Sequence, residues 1–220
     1  MVTITNLCLT FSNGKKTIFN NAHFSFPERK LTFVEGKNGA GKSTLFHILM
    51  AQSDSASHVT GTLQYQGTNY DLTSSAYAQF AQHHIARVPQ RFDEALAPHL
   101  TFQENLACAH FATFPSCTSR IVLPAVPELA QSFHIPLDIP VELLSGGQRQ
   151  VLAILTMLQR TSSLLLLDEP TATLDEENSH LVMRCITALV ETHGITVLMI
   201  THDRSLLTYS DTSPLVVSKQ

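Results

Sequence analysis

The residues best placed to do chemistry are Gly36-Lys37-Asn38-Gly39-Ala40-Gly41-Lys42-Ser43-Thr44, which satisfy the phosphate-loop pattern G-x-x-x-x-G-K-[ST] at every fixed position. Glycines let successive backbone N–H groups turn inward around phosphate oxygens, and a following helix adds the partial positive charge of its N-terminus. Lys42 then reaches the outer phosphates, and the Ser43 hydroxyl becomes a magnesium ligand. The pattern needs a strand before it and a helix after it. The apolar run Leu31-Thr32-Phe33-Val34 supplies the first, and a helix-like stretch from Ser43 to Ala51 supplies the second. A nucleoside-triphosphate site is therefore expected here.

A second chemical group lies downstream. Leu164-Leu165-Leu166-Leu167 is an uninterrupted apolar run that ends in Asp168-Glu169, which is how a strand buried on both faces of a parallel sheet reads. Below a phosphate loop, such a pair has a mechanical role. Asp168 would hold magnesium through its water shell opposite Ser43, and Glu169 would orient or deprotonate the attacking water. A third buried strand, Ile195 to Ile200, runs into Thr201-His202-Asp203. Open parallel sheets bind ligands at the carboxyl ends of their strands, and all three strands deliver their polar residues to that edge.

The remaining elements must position these groups. Val2-Thr3-Ile4-Thr5 and Leu7-Cys8-Leu9-Thr10-Phe11 read as short strands, followed by a turn at Asn13-Gly14. Phe24-Ser25-Phe26 alternates and stops at Pro27, Gly61 to Tyr65 alternates and turns at Gln66-Gly67-Thr68-Asn69, and Ile85 to Val88 is a short strand ended by Pro89-Gln90. Thr101 with Glu104 three residues on predicts a capping box, with its helix running to about Ala112. Prolines 115, 124, 127, 136 and 140 then break the chain, while Ile121, Val122, Leu129, Phe133 and Ile135 keep it apolar enough to be an inserted, mostly helical part. Helical spacing returns from Gln148 to Arg160 and from Leu181 to Val190, with Gly194 as the stop, and Leu215-Val216-Val217 reads as a last strand.

Length and composition narrow the function classes. A chain of 220 residues suits one domain, and a net charge of −4 gives no reason to expect nucleic acid as a partner. No apolar stretch is long enough to span a bilayer, and the start Met1-Val2-Thr3-Ile4-Thr5 lacks the basic region of a signal peptide. Cys8, Cys108, Cys117 and Cys185 form no C-x-x-C pair, so they read as unpaired thiols of a reducing compartment. The eleven histidines show no H-E-x-x-H spacing.

Between the phosphate loop and the acidic pair lies Leu144-Ser145-Gly146-Gly147-Gln148. With these three motifs together, nearly the whole chain resembles the nucleotide-binding subunit of the ATP-binding cassette (ABC) family, whose signature is that pentapeptide. The resemblance implies an α/β fold: a P-loop NTPase core with a mostly parallel sheet, an N-terminal antiparallel β subdomain, and an inserted helical subdomain. Residues 1–90 and 144–220 would form the core and 91–143 the helical part. It further implies ATP and Mg2+ as ligands, with Gly36 to Thr44 as Walker A and Glu169 as catalytic base of Walker B. Gln90 would be the Q-loop glutamine that contacts magnesium and the attacking water. Leu144 to Gln148 would be the signature loop, Ala172-Thr173-Leu174-Asp175 the D-loop with its first two positions changed, and His202 the switch histidine at the γ-phosphate. Phe11 reads as a core aromatic on residue type alone; the resemblance makes it the ring that stacks on adenine.

The implied partners are a second nucleotide-binding subunit paired head to tail, as a homodimer or, alternatively, a heterodimer, a transmembrane permease on a separate chain, and a substrate-binding protein. The implied location is cytoplasmic, on the inner face of the membrane. Val151 and Thr156 stand where the family often has Arg, at positions peripheral to the chemistry. The chain stops soon after its last strand, so the regulatory C-terminal domain of some importers is not expected. Asp138-Ile139-Pro140-Val141-Glu142 replaces the Thr-Glu-Val-Gly-like loop of exporters, which favours an importer. The competing class is a non-transport ABC-type ATPase acting on nucleic acid or ribosomes. It would call for a long coiled coil or paired cassettes with basic linkers, and neither pattern is visible.

Overall fold

The computed structural model describes residues 1–11, 16–52, 57–88, 96–111, 134–158 and 163–218. The Asn13-Gly14 turn, Gln90, the expected helix end at Ala112, and Ile121, Val122, Leu129 and Phe133 lie outside these residues. Two sheets organise the rest. A four-stranded antiparallel sheet has the order β2-β1-β4-β5, formed by β1 (Val2–Phe11), β2 (Thr17–Phe26), β4 (Ser57–Tyr65) and β5 (Thr68–Asp71). A five-stranded parallel sheet has the order β6-β7-β8-β3-β9, formed by β6 (Ile85–Val88), β7 (Leu164–Asp168), β8 (Thr196–Ile200), β3 (Leu31–Glu35) and β9 (Leu215–Val216). The helices are α1 (Lys42–Leu49), α2 (Ser75–His84), α3 (Phe102–Phe111), α4 (Gly146–Leu158) and α5 (Glu176–His193).

The apolar runs of the parallel strands serve two cores at once. Leu164, Leu166, Leu198, Ile200 and Val34 face a core shared with the antiparallel sheet, α1 and α2. Their neighbours Leu165, Leu167, Val197, Met199 and Phe33 face the opposite core, built with α3, α4 and α5. Because strand side chains alternate faces, a strand covered on both sides must be apolar at every position. Each fully buried Leu contributes about 1.5–3 kcal/mol.

The N-terminal strands differ from the sequence expectation. The two short segments before Phe11 are one strand, because Asn6 takes a positive φ of 53° and the ladder to β4 shifts register between Thr5 and Cys8. A β-bulge lets the chain bend without ending the strand. Strand β2 begins at Thr17 rather than Phe24. The turn after Tyr65 is limited to Gln66 (φ 48°) and Gly67 (φ 80°), the paired positive values of a type I′ hairpin. Thr68 and Asn69 therefore belong to β5.

Helix α2 carried no clear signal in the sequence. Ser74 caps it by accepting from the Tyr77 N–H, and Tyr77 lies fully buried with its hydroxyl donating to the Ile48 and Leu49 carbonyls at 3.2 and 2.9 Å. Those carbonyls close α1, so α2 fixes the far end of the helix that follows the phosphate loop. The capping box at Thr101 forms as expected. Glu104 Oε2 accepts from the Thr101 N–H at 2.8 Å and hydroxyl at 2.9 Å, and the Glu104 N–H donates to Thr101 Oγ1. Of the segment 91–143, α3 and the short 3₁₀ turn Val141–Leu143 are described. Among the described residues no helix is long and apolar enough to cross a membrane.

Candidate functional site

Register brings the chemical residues together. Ile200 of β8 pairs with Val34 of β3 on one side and with Asp168 of β7 on the other. The residues that follow these three therefore emerge side by side at one sheet edge. Gly36 opens the loop on β3, Asp168-Glu169 ends β7, and His202 lies two residues past β8.

The loop has the shape its glycines permit. Gly41 has φ 106°, and a Cβ there would stand 2.8 Å from Ile18 Cγ2 and 3.0 Å from Phe19 Cζ. Gly36 lies so close to the end of the chain that a Cβ would fall 2.3 Å from the Val217 carbonyl oxygen. Lys42 is the first residue of α1 and nearly buried at 8% exposure. Its ammonium folds over the loop and donates to the Gly36 carbonyl at 2.7 Å and the Lys37 carbonyl at 3.4 Å.

A cleft of about 380 Å³ gathers Phe11, Asn38, Gly39, Gly41, Lys42, Ser43, Thr44, Glu169 and His202. Lys16 joins them, with its Nζ 6.0 Å from the Phe11 ring centroid. Phe11 is half-buried: one part packs against the core and its ring lines the cleft, so the core reading and the stacking reading describe two sides of one residue. Gly36 lines an adjoining recess with Lys42 and His202, and Ala40 is buried beneath the loop.

Glu169 has left-handed backbone, φ 51°, which costs a non-glycine residue about 1–3 kcal/mol. Its N–H donates to the Ile200 carbonyl at 3.0 Å, and its carbonyl accepts from the Ala172 N–H. These bonds hold the residue in that conformation. Its Oε1 stands 3.2 Å from His202 Nε2, with the two side chains 26% and 56% exposed. Asp168 sits deeper, and its Oδ2 accepts from the Arg87 guanidinium at 2.8 Å.

The structure places Ser145, Gly146, Gly147, Gln148 and Asp175 in a separate cluster that does not line the cleft. Ser145 and Gln148 form a capping box for α4: the Gln148 N–H donates to Ser145 Oγ at 3.2 Å, and the Ser145 N–H donates to Gln148 Oε1 at 3.0 Å. Asp175 caps α5, accepting from the Asn178 N–H at 2.8 Å. That bond, with a further one from the Asn178 side chain, holds the Asp175 carboxyl below the usual carboxylate range.

Asn178 joins the two helix starts. Its Oδ1 accepts from the Ser145 hydroxyl at 2.8 Å, and its amide donates to both Asp175 oxygens at 3.0 Å. The signature glycines make this approach possible. A Cβ on Gly147 would lie 2.5 Å from Asn178 Oδ1, and one on Gly146 would lie 2.9 Å from Leu174 Cδ2.

Arg87 and Asn178 were missed from sequence. An arginine inside the otherwise apolar strand Ile85-Ala86-Arg87-Val88 was a usable signal. Asn178 carried none, because its bond to Ser145 joins residues distant in the chain.

Comparison with known proteins bears on the family and the fold. The family model described as "ABC transporter" matches residues 19–172. The ABC transporter ATP-binding protein YtrE of Bacillus subtilis (strain 168) is 31% identical, over 92% of this chain and 89% of that protein. A tyrosine transport ATP-binding protein of Clostridioides difficile (strain R20291) is 30% identical, over 96% and 86%. The lipoprotein-releasing system ATP-binding protein LolD of Treponema denticola is 28% identical, over 97% and 93%. Among solved structures, cbiO1 from Clostridium perfringens, part of the cbiONQ complex, superposes with a TM-score of 0.82 at 24% identity, covering 99% of this chain and 84% of that one. The cassette MJ0796 bound to ADP and Pi superposes with a TM-score of 0.72 at 24% identity, over 99% and 94%. These two likenesses concern the fold.

Proposed function

This chain belongs to the ABC transporter family, and we propose that it is the subunit whose ATP hydrolysis drives a solute through a separate membrane-spanning chain, in an importer. The observation that carries the reading is the cleft in which Phe11, the phosphate loop, Glu169 and His202 meet. Phe11 offers a flat face for the adenine ring. The loop amides, the α1 N-terminus and Lys42 hold the phosphates. Glu169 takes the proton of the attacking water, and His202, 3.2 Å from its Oε1, holds that carboxylate at the cleft.

The donor set fits magnesium. Ser43 offers a hydroxyl at the α1 N-terminus and Asp168 a carboxylate. Among the described residues there is no group of three or more His, Cys, Asp or Glu that could cage a metal. Magnesium keeps its waters and binds through one or two protein oxygens plus substrate phosphates, so a sparse hard-oxygen set suits it. When bound, it would neutralise charge developing on the phosphates. Gln90 is proposed as a further contact.

The signature cluster lies apart from the cleft, in keeping with a second copy of this chain supplying it. In a head-to-tail homodimer Ser145 to Gln148 of one subunit would cover the ATP of the other, and hydrolysis would let the pair open. This is a two-state element biased by ligand. Import, with a substrate-binding protein as further partner, rests on the stretch Asp138 to Glu142. The relatives' names include both transport and release. The corresponding location is the cytoplasmic face of a membrane.

The test is a mild-detergent co-purification of the tagged chain from its native membranes. A multispanning membrane protein in the eluate is the expected result, and a co-purifying substrate-binding protein identifies import. Ribosomal or DNA-associated partners in its place would overturn the transport reading while leaving the ATPase chemistry standing.

A further inference from the structure

Arg87 pairs in register with Leu166 across the β6–β7 ladder. Registered residues of neighbouring strands share a face, and residues two apart on one strand share it too. Arg87 therefore emerges on the face that carries Asp168, one pleat behind it, and its long side chain spans the step. The guanidinium donates to Asp168 Oδ2 at 2.8 Å, with only 19% and 14% of the two side chains exposed. Among the described residues, that guanidinium is the one partner of the Asp168 carboxylate, and Arg87 Nε is buried without a partner.

As a stability device this is a poor arrangement. A largely buried ion pair with an unsatisfied donor gains little over an apolar residue, and Ile85, two residues back on the same face, is buried and apolar. The pair makes sense through its effect on charge. A lone carboxylate attracts a divalent cation; a guanidinium one hydrogen bond away cancels its unit charge and repels the cation directly.

We infer that Arg87 is a positioning residue for the metal: it holds one oxygen of Asp168 and keeps the site from taking a divalent cation until nucleotide phosphates arrive. The inference rests on the nucleotide site proposed above. With Arg87 in place, the negative charge that recruits the cation is supplied mainly by the phosphates, so metal and nucleotide enter together. Asp168 then orients the metal's water shell with a carboxylate whose rotation Arg87 has already fixed.

The test uses the purified full chain and Mn2+, counted free and bound by electron paramagnetic resonance, without nucleotide. Arg87→Gln should bind Mn2+ at least about tenfold more tightly than the parent, because one nearby positive charge is gone. Arg87→Met, uncharged and well suited to a buried strand, should show the same gain. Arg87→Lys should stay near the parent, and Asp168→Asn added to Arg87→Gln should abolish the gain, which places the metal at this carboxylate. Unchanged Mn2+ affinity in both folded, uncharged variants would overturn the inference. Binding of a fluorescent ATP analogue with Mg2+ present separates the two layers. A parent that binds the analogue while Arg87→Gln matches it in Mn2+ affinity refutes the role of Arg87 alone, whereas a parent that binds no nucleotide refutes both.

Discussion

Replacing Gly147 by Ala puts a methyl group 2.5 Å from Asn178 Oδ1 and 2.8 Å from Asn178 Cβ. Asn178 must turn away, and two links go with it: the Ser145 hydroxyl bond at 2.8 Å and the amide bonds to Asp175 at 3.0 Å. At roughly 0.5–1.5 kcal/mol per exposed hydrogen bond, the loss is about 1–3 kcal/mol. Gly147 lies inside α4, where Ala is favoured over Gly by about 1 kcal/mol. The net destabilisation is then about 0–2 kcal/mol, and for a domain of this size each kcal/mol moves Tm by about 2–4 °C. The fold should survive with a small drop. The α4 and α5 starts, no longer tied together, should present Ser145 poorly to a second subunit. In a Glu169→Gln background, size-exclusion chromatography should show the ATP concentration for dimer formation raised about tenfold or more, with monomer ATP affinity unchanged. A Gly147→Ala protein that melts a few degrees lower yet dimerises at the parent's ATP concentration would refute the reasoning. So would a collapse of the melt by tens of degrees, which would make the glycine a support of the fold.

Other expectations follow from the same geometry. Thr101→Ala should cost about 1 kcal/mol in urea unfolding, because the hydroxyl's bonds to the Glu104 carboxylate and from the Glu104 N–H are lost. Leu166→Ala, at a fully buried position, should cost about 2–5 kcal/mol by the same assay. Lys42→Ala should abolish binding of a fluorescent ATP analogue, and unchanged affinity would contradict the phosphate-loop assignment. For pH, the hydrogen bonds from Thr101 hold the Glu104 carboxyl below its ordinary 4.5. A lowered folded-state value means that the stability Glu104 contributes is complete above about pH 4.5 and is lost as pH falls through the folded value. The stability gap between parent and Glu104→Gln should therefore close on acidification below that pH; a gap that widens there would contradict the sign. In thiol labelling of the native protein, exposed Cys108 should react while Cys185 should not. Cys185 is buried, and burial pushes its thiol up to about 12.

What could be read from sequence was what depends on local pattern. The loop Gly36 to Thr44, the run Leu164 to Leu167 into Asp168-Glu169, and the capping box at Thr101 each state their geometry in consecutive residues. The parallel strands were legible because burial on both faces leaves no polar position. The single strand Val2–Phe11 was not, since Asn6 looks like a turn residue and only pairing with β4 on the far side reveals a bulge. Helix α2 was hidden by its polar glutamines and histidines. Its reason to be helical is the Tyr77 contact with α1, which is tertiary. The Arg87–Asp168 and Ser145–Asn178 links join residues far apart in the chain. Such pairs depend on sheet order and helix docking, which a single sequence does not print.

The measurement that bears most directly on the central claim is ATP turnover by the purified parent and by Glu169→Gln, read as phosphate release alongside the nucleotide retained after gel filtration. The geometry around Glu169 and His202 predicts that the parent releases phosphate with Mg2+ and ATP, while the variant releases almost none and elutes as a dimer with ATP bound. Phosphate release by Glu169→Gln at the parent's rate would contradict the account.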